Sequence, residues 1–201
     1  MTSTLNKSDK ANQILNGALQ EFLARGYAGT SMDRVAATAG VSKPTVYNHF
    51  QDKEGLFTAL VQKIARERCQ SKFNPETLGG PPAESLPRLL EQMVDSIADD
   101  EEFQDFIRLV IGESGRFPEL ARLFVTHFSK PGLEQMQEYL SEYAAVDFAD
   151  TKAIAQIVLG SVVYMTLTQY ILHGREIMPL SKERFIDTMA CLLTKPNHLK
   201  S

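Results

Sequence analysis

Hydrophobic side chains recur with a helical period through the first forty residues. Five apolar residues share the i, i+1, i+4, i+5, i+8 spacing of one helical face: Ile14, Leu15, Ala18, Leu19 and Phe22. Gly26 predicts the end of this first helix. Thr30 with Asp33 predicts a capped start for a second helix, which ends at Gly40 and has the apolar positions Met32, Val35, Ala36 and Ala39. The pattern therefore predicts two helices, the second of them short.

A third short helix is predicted directly after the second. Ser42 is a suitable N-cap, and Pro44 falls in the first turn, where a missing backbone donor is harmless. This helix is expected to end near Phe50. Asp52 then caps a fourth helix, predicted to extend to about Phe73, whose apolar positions are Leu56, Phe57, Leu60, Val61, Ile64 and Ala65.

The remainder of the chain also carries helical signals. Pro and Gly concentrate in residues 74–85, which predicts a loop. The further predicted helices are residues 86–98, 102–114, 118–145 with a kink at Pro131-Gly132, 151–172 and 182–195. The predicted fold is therefore all-α, with about nine helices.

One stretch, residues 153–172, carries no formal charge over a length that could span a bilayer. Polar side chains interrupt it at Gln156, Ser161, Thr166, Thr168 and Gln169. Polar groups at that density are costly in hydrocarbon, and no basic flank or second span accompanies them. We therefore expect a helix buried on several faces inside a protein, with no membrane partner.

The formal charge is distributed unevenly along the chain. Residues 1–68 carry nine Lys and Arg against six Asp and Glu, a charge of +3, whereas residues 69–201 carry twelve against nineteen, a charge of −7. A basic N-terminal part is typical of contact with phosphates, although three excess charges are also compatible with a solvated surface.

Cysteine and histidine usage narrows the possible chemistry. Cys69 and Cys191 are far apart and belong to no C-x-x-C pair, which argues against a disulfide scaffold and a zinc finger and favours a reducing compartment. The four histidines show no metal-ligand spacing, and the N-terminus shows no secretory signal. We expect a cytoplasmic protein without a metal or another cofactor.

The second and third helices flank a turn at Gly40-Val41-Ser42, which matches a helix-turn-helix. Val46 and Phe50 lie four positions apart, so both can face the core beside Val35. The remaining side chains of the third helix then point outward: Lys43, Pro44, Thr45, Tyr47, Asn48 and His49.

These outward residue types suit a DNA duplex. Asn48 can pair with adenine, Thr45 can meet the methyl group of thymine, and Tyr47 can contact phosphate. Lys43 and Lys53 can also reach phosphates as point charges. The predicted DNA-binding residues are Thr30, Ser31, Ser42, Lys43, Pro44, Thr45, Tyr47, Asn48, His49 and Lys53. Each of them alone is compatible with an ordinary surface or core position. Their occurrence together on one short helix and beside it favours DNA recognition.

A family resemblance extends over this region. Residues 30–61, TSMDRVAATAGVSKPTVYNHFQDKEGLFTALV, resemble the N-terminal domain of TetR-family transcriptional regulators, as does the preceding ALQEFLARGYAGTS. Residues 108–120, RLVIGESGRFPEL, are similar to a stretch in one subgroup, and Pro44 stands where many relatives have Gly. The resemblance implies a three-helix DNA-binding domain over residues 8–68, with its motif at 31–50. A larger ligand-binding and dimerisation domain would follow over 69–201, usually in a repressor.

A recognition helix of about seven residues covers only a few base pairs, so a single copy is expected to bind weakly. Two copies in a homodimer would contact half-sites roughly 34–36 Å apart on a palindromic operator. The predicted dimer interface consists of Gln156, Leu159, Val163, Phe185, Met189, Leu192 and Leu193. The alternative is that these two helices fill the core of one subunit, and a helix that is apolar all round has faces for both roles.

The C-terminal domain is also expected to enclose an apolar pocket for a small hydrophobic or amphipathic effector. His127 lies between two phenylalanines, and Tyr164 is one turn from Thr168, so polar groups stand among rings and methyl groups. The predicted lining residues are Phe103, Phe106, Val110, Glu113, Phe124, His127, Phe128, Met136, Tyr164 and Thr168. Each of these is individually compatible with ordinary core packing.

Three alternatives to an effector-released repressor stay open. The first is an activator of the same fold. The second is an enzyme, but its acid–base candidates, Glu113, His127 and residues 99–102, have no nucleophile–base pair or phosphate-binding glycine loop beside them. The third is a protein-binding adaptor, which would ignore duplex DNA, whereas a groove reader loses affinity linearly with log salt. We expect a regulator whose operator affinity changes about 5–150-fold with effector.

Overall fold

The computed structural model describes residues 2–70, 82–143 and 150–194, and regular secondary structure within these ranges is helical throughout. The predicted all-α fold is therefore confirmed. The α-helices are α1 (Thr2–Gly29), α2 (Met32–Thr38), α3 (Lys43–Phe50), α4 (Lys53–Ala65), α5 (Pro82–Ala98), α6 (Glu101–Glu113), α7 (Pro118–Phe124), α8 (Lys130–Tyr143), α9 (Thr151–Thr166) and α10 (Lys182–Thr194). Wider π-helical turns cover Arg66–Gln70, Val125–Ser129 and Leu167–Ile171, and a 3-10 turn covers Gly174–Glu176.

The chain packs as two compact units. The first contains residues 1–66 and 105–128, and the second contains residues 67–104 and 129–201. These packing units differ from the division at residue 68 that the sequence predicts, because most of α6 and all of α7 pack with the first four helices. The predicted division into a DNA-binding and a ligand-binding domain concerns function, and it stays a prediction.

An aromatic cluster in the first unit explains why residues 105–128 belong there. Phe22 and Phe57 are fully buried, with ring centroids 5.3 Å apart. Phe106 of α6 stacks on Phe57 at 5.9 Å, and Phe124 of α7 lies 6.4 Å from Phe106. Each aromatic side chain buries about 150–250 Å², so the rings supply much of the apolar contact of this core.

α1 is interrupted at Gly26, where φ is 71° and ψ is 172°. This left-handed φ favours glycine, which has no Cβ to clash with the following carbonyl. The predicted stop at Gly26 is thus confirmed as a break, although a short helical stretch continues to Gly29. The cap of α2 is Ser31, which accepts a hydrogen bond from the Arg34 N–H at 3.3 Å, and not the predicted Thr30, whose hydroxyl binds carbonyls of α1.

The second unit has its core between α5, α8, α9 and α10. α9 packs on α8 and α5, and α10 packs on α5. The buried face of α9 consists of Ala155, Val158, Val162, Met165 and Thr166, at the three- and four-residue spacing of one helical stripe. The expectation of burial on several faces holds for one face only, because Ile157, Val163 and Tyr164 on the other side are exposed. By length and composition alone, Thr151–Ile171 is also long and apolar enough to cross a membrane.

Four predicted helix boundaries differ from the structure. The helix predicted at 118–145 with a kink at Pro131-Gly132 is divided earlier, at Val125–Ser129, and Pro131 lies harmlessly in the first turn of α8. α4 ends at Ala65, and the predicted extension to Phe73 passes outside the described residues after Gln70. The predicted loop over residues 74–85 lies outside them up to residue 81, and residues 82–85 are helical, because α5 begins at Pro82 and not at the predicted residue 86. α9 gives way to a π-helical turn after Thr166, whose hydroxyl donates to the Val162 carbonyl at 2.9 Å.

Candidate functional site

The start of α3 is built by local hydrogen bonds that the sequence predicts. The Ser42 hydroxyl accepts a hydrogen bond from the Thr45 N–H at 3.3 Å and lies 2.7 Å from the Thr45 hydroxyl. Pro44 occupies the first turn, where it removes no helical hydrogen bond. These contacts set where α3 begins, and they also occupy the hydroxyl of Thr45.

The turn before α3 depends on Gly40, whose φ is 62°. The N–H of Gly40 donates to the Ala37 carbonyl and the N–H of Val41 donates to the Ala36 carbonyl at 3.0 Å, which closes the end of α2. The side-chain amide of Gln13 donates to the Ala39 carbonyl at 2.6 Å and ties this turn to α1. Hydrogen bonds from both α2 and α1 therefore fix the conformation of the turn.

The end of α3 is a strained turn that the sequence pattern does not reveal. Gln51 has φ 60° and ψ −57°, and the N–H of Asp52 donates back to the Phe50 carbonyl at 2.6 Å. This is a tight three-residue turn, which costs free energy for a residue other than glycine. Gly55 permits it, because a Cβ there would lie 2.5 Å from the Phe50 oxygen. Asp52 caps α4 as predicted, accepting from the Gly55 N–H at 2.7 Å.

The outward surface of α3, which we call the α3 face, consists of Lys43, Pro44, Thr45, Tyr47, Asn48 and His49. Val46 is fully buried on the opposite side against the first unit's core. Lys43, Pro44, Tyr47 and Asn48 are exposed, while Thr45 and His49 are half-buried. The predicted outward orientation is thus observed, and the α3 face presents donors, acceptors and a ring to solvent.

Lys43 is oriented on the α3 face by Asp33 of α2. Its ammonium lies 2.8 Å from an Asp33 carboxylate oxygen and 5.8 Å from the centre of the Tyr47 ring. The hydrogen bond to Asp33 raises the pKa of Lys43, so the side chain stays charged at neutral pH. An anion that approaches α3 would compete with Asp33 for this cation.

Two residues predicted to contact DNA bind backbone carbonyls of their own chain. The Lys53 ammonium donates to the carbonyls of Tyr27 at 2.8 Å and Thr30 at 3.1 Å, and it lies 4.4 Å from the centre of the Tyr27 ring. Burial lowers the pKa of Lys53. Thr30 is buried, and its hydroxyl lies within 3.0 Å of the carbonyls of Glu21 and Gly26. Both side chains donate hydrogen bonds to carbonyls near the end of α1. The last carbonyls of a helix have no partner within the helix and need such donors.

The ten residues predicted to line a pocket do not form one site within either unit. Phe106, Val110, Glu113, Phe124, His127 and Phe128 belong to the first unit, and Phe103, Met136, Tyr164 and Thr168 belong to the second. Phe106 is core, as described above, and Phe124 stacks on Phe128 at 4.9 Å. Phe103 lies beneath the Arg68 guanidinium at 4.3 Å. Glu113 accepts a hydrogen bond from the Tyr27 N–H, a role that sequence spacing could not show.

The second unit contains a groove of roughly 460 Å³ between α9, α10 and the segment before α10. Tyr164 and Thr168 from the predicted set line it, together with Ile157, Gly160, Ser161, Met165, Gln169, Met178, Leu180, Phe185 and Met189. Polar groups of the groove already have backbone partners, since Gln169 donates to the Met178 carbonyl at 2.8 Å and Thr168 to the Tyr164 carbonyl at 2.8 Å. The groove is mainly apolar.

The predicted dimer residues divide by exposure. Gln156, Val163 and Leu192 are exposed, Leu159 and Leu193 are half-buried, and Phe185 and Met189 are buried in the second unit's core. Four more exposed apolar side chains lie in the same region: Ile157, Tyr164, Met178 and Leu180. Sequence reasoning missed three of them and assigned Tyr164 to the pocket only. We call the exposed set Gln156, Ile157, Val163, Tyr164, Met178, Leu180 and Leu192 the α9–α10 surface.

Metal binding finds no support in the described ranges, where no three His, Cys, Asp or Glu side chains are grouped closely enough to hold an ion. In the first unit, burial raises the pKa of the Tyr27 hydroxyl to about 12. That ring packs between Phe57 and Phe117, at 5.6 Å and 5.0 Å, and so belongs to the core.

Similar proteins are regulators. The HTH-type transcriptional activator FasR of Mycolicibacterium smegmatis is 41% identical over 59 residues, which are 29% of this chain and 27% of the relative. The chain spans less than two fifths of the length of the curated relatives it matches first. Among solved structures, a Mesorhizobium loti protein assigned to the TetR family has a TM-score of 0.75 at 27% identity, covering 92% of this chain and 94% of the other. The flavonoid-responsive regulator FrrA has a TM-score of 0.72 at 26% identity, covering 96% of both chains.

Two family models match separate parts of the sequence. One, described as bacterial regulatory proteins of the tetR family, matches residues 14–60, which contain α2, α3 and the turn between them. The other, described as the C-terminal domain of AefR-like transcriptional repressors, matches residues 84–190 and so more than half of the chain. The resemblance inferred from the motif is confirmed, and the protein belongs to the TetR family of bacterial regulatory proteins.

Proposed function

We propose that this protein is a DNA-binding transcriptional regulator that binds a palindromic operator as a homodimer. The observation that carries the proposal is the α3 face: a short, capped helix buries Val46 and presents Lys43, Tyr47 and Asn48 to solvent. A helix of this size and polarity fits the major groove of B-DNA, which is about 12 Å wide. The protein acts in the cytoplasm and has no catalytic role.

The side chains of the α3 face have different roles in this proposal. Asn48 pairs with an adenine edge, and the half-buried Thr45, whose hydroxyl lies 2.7 Å from that of Ser42, offers its methyl group to a thymine. Tyr47 and Lys43 contact phosphates, which sets the position of α3 along the groove. Pro44 and His49 border the contact, and the caps Ser31 and Ser42 hold the two helix starts.

The α9–α10 surface is the proposed dimer interface. It exposes large apolar side chains, among them Ile157, Val163, Tyr164 and Leu192, each more than half exposed in the single chain. Burying a large aliphatic or aromatic side chain contributes about 1.5–3 kcal/mol, so a second copy on this surface would stabilise the pair. Pairing holds two α3 helices at a constant spacing and so makes the second half-site contact intramolecular.

The proposed effector is a small hydrophobic or amphipathic molecule. The groove beside Tyr164 and Thr168 is mainly apolar with few polar groups, which suits such a ligand. Four of its lining residues also belong to the α9–α10 surface, so the ligand and the second copy would share this region: Ile157, Tyr164, Met178 and Leu180. FrrA is named for its response to flavonoids, which are small aromatic compounds with polar substituents, and we extend only that general chemistry to this chain. Phe103, His127, Phe128 and Met136 stay candidate contacts on the basis of sequence.

Repression is the favoured mode, with activation as the alternative. The family model for residues 84–190 is described for repressors, whereas FasR is an activator. A reporter gene placed behind the selected operator separates the two modes: expression rises on deletion of the regulator if it represses and falls if it activates. The adaptor alternative predicts no response of that reporter.

Selection of bound duplexes from a random pool tests the proposal directly. We expect enrichment of an inverted repeat with half-sites about one helical turn apart, and an affinity that falls linearly in log salt. Sedimentation at the concentrations used should give a dimer. Failure to enrich any duplex, or a strictly monomeric species that nevertheless binds with full affinity, would contradict the proposal.

A further inference from the structure

The carboxylate of Glu113, the last residue of α6, reaches the backbone of α1. Its Oε1 accepts a hydrogen bond from the Tyr27 N–H at 2.9 Å, across 86 positions of sequence. It lies at the break in α1, and a Cβ on Gly26 would come within 2.7 Å of the same oxygen. The carboxylate therefore occupies space that only glycine leaves open.

Tyr27 is also held by contacts other than the one with Glu113. The Lys53 ammonium of α4 donates to the Tyr27 carbonyl at 2.8 Å and to the Thr30 carbonyl at 3.1 Å. The Tyr27 ring packs edge-on against Phe117, which follows α6, at 5.0 Å. Tyr27 is thus bound at its N–H, its carbonyl and its ring, by three separate parts of the first unit.

These contacts act on the segment that leads into α2. Residues 27–30 end at Ser31, the N-cap of α2, and Thr30 is buried with its hydroxyl on the Gly26 carbonyl at 2.9 Å. α2 in turn packs against α3, with Val35 and Val46 both fully buried. A shift of residues 27–30 would consequently move α2 and the α3 face with it.

We propose that Glu113 is a positioning residue for DNA binding, which holds residues 27–30 and therefore the α3 face in the orientation that fits the operator. This inference rests on the proposed function. Glu113 does not touch the DNA itself, and it acts through its hydrogen bond with the Tyr27 amide. The residue belongs to RLVIGESGRFPEL, the segment similar to one subgroup of the family, and its sequence position predicted a place in the effector pocket.

The geometry also gives this contact a regulatory use. α6 is one continuous helix, Glu101–Glu113, whose first residues belong to the second unit and whose last residues belong to the first. A hydrogen bond of this kind weakens steeply once donor and acceptor separate beyond about 3.5 Å. A displacement of α6 by less than one helical residue's rise, about 1.5 Å, is thus enough to release the Tyr27 amide.

Two conservative substitutions separate the effect of the Glu113 side-chain length from the effect of its charge. Glu113→Gln keeps an acceptor oxygen at the same distance and removes the charge, whereas Glu113→Asp keeps the charge and shortens the side chain. Glu102→Asp is the matched control, because Glu102 is an exposed residue of the same helix. The measurements are affinity for the selected operator, made on folded protein, and hydrogen exchange of the Tyr27 amide.

We expect Glu113→Asp to lose about tenfold or more in operator affinity and to speed exchange at Tyr27 by a similar factor, within the usual range of coupling effects. Glu113→Gln should stay within about threefold of wild type in both measurements, and Glu102→Asp should match wild type. Exchange at Tyr27 distinguishes this role from a general loss of stability, which would speed exchange throughout the core.

Other outcomes overturn the inference. They are unchanged affinity in Glu113→Asp, equal losses in Glu113→Asp and Glu113→Gln, or a Glu113→Asp chain that fails to fold, since the contact would then serve the fold itself. Wild-type protein that binds no duplex would instead remove the proposed function, and the exchange measurement would still report on the contact.

Discussion

The α3 face and the α9–α10 surface are both exposed, yet they differ in the atoms they present. On α3 the buried side chain is Val46 and the exposed ones carry amide, hydroxyl and ammonium groups. On α9 the buried stripe and the exposed stripe are both apolar, with Ile157 60% exposed and Val163 56% exposed. Exposure by itself therefore says little about function, whereas the chemistry of the exposed atoms indicates what kind of partner fits.

The difference has energetic consequences. Apolar side chains gain free energy whenever they leave water, whatever the detailed shape of the partner, so the α9–α10 surface favours a large complementary apolar face. The α3 face gains little from burial alone. Its hydrogen-bonding groups contribute only when each finds a partner, because an unmatched polar group is costly to desolvate. The first surface thus supplies affinity between copies, and the second supplies discrimination between sequences.

The largest expected effect comes from a charge placed on the apolar surface. Val163→Asp should give a folded monomer that loses about a hundredfold or more in operator affinity, because an unpaired carboxylate would be buried in the dimer and the second half-site contact would be lost. Sedimentation and operator titration measure the two effects on the same sample.

Val125→Asp is the matched control for this change. Val125 has the same exposed fraction as Val163, 56%, but lies in the first unit, outside the α9–α10 surface. It should remain dimeric with ordinary operator affinity. Equal behaviour of the two variants would remove the special role that the comparison assigns to α9.

A smaller effect is expected from the polar surface. Asn48→Ala should cost about 1–3 kcal/mol at the preferred operator and relax selection at particular base pairs, because a paired hydrogen bond to a base is lost. Repeated selection from a random pool measures the change in preference. Gln20→Ala, an exposed amide of α1, should leave the selected sequence unchanged. An unaltered site for Asn48→Ala would show that this residue does not read bases.

The smallest expected effect on DNA binding separates two lysines that look alike in sequence. Lys43→Ala should weaken binding to all duplexes and reduce the salt slope by about one, with little change in stability. Lys53→Ala should leave that slope unchanged and lower the free energy of unfolding by about 1–3 kcal/mol, because the Tyr27 and Thr30 carbonyls lose a charged donor. A reduced salt slope in Lys53→Ala would restore its predicted phosphate contact.

Local signals in the sequence were sufficient where the structure depends on neighbouring residues. The caps at Ser42 and Asp52 and the turn at Gly40 follow from the sequence, and the cap of α2 lies one residue later than predicted, at Ser31 instead of Thr30. Each is an interaction over three or four positions, so its partners are visible in the sequence. The predicted outward orientation of Asn48 followed for the same reason, since a helical period assigns one face once Val46 is placed in the core.

Contacts over long sequence distances could not be read in this way. The pocket prediction grouped Phe106 with Tyr164 because both were apolar or aromatic residues of the presumed ligand-binding part, yet they lie in different packing units. Lys53 was expected to meet phosphate because a lysine beside the motif has that reach, whereas folding brings two backbone carbonyls within 3.1 Å of it. The sequence shows that Lys53 carries a positive charge, but it does not show which groups that charge binds.

Sequence alone determined that this chain is all-α, where α3 and α4 begin, and which side chains of α3 face away from the core. These are consequences of backbone geometry and helical periodicity, which act over a few residues. Only the tertiary structure decided that Lys53 and Glu113 bind the backbone of residues 27–30 and that one apolar side of α9 stays exposed. Both depend on which distant elements fold against each other, and that selection is made by the packing of the whole core.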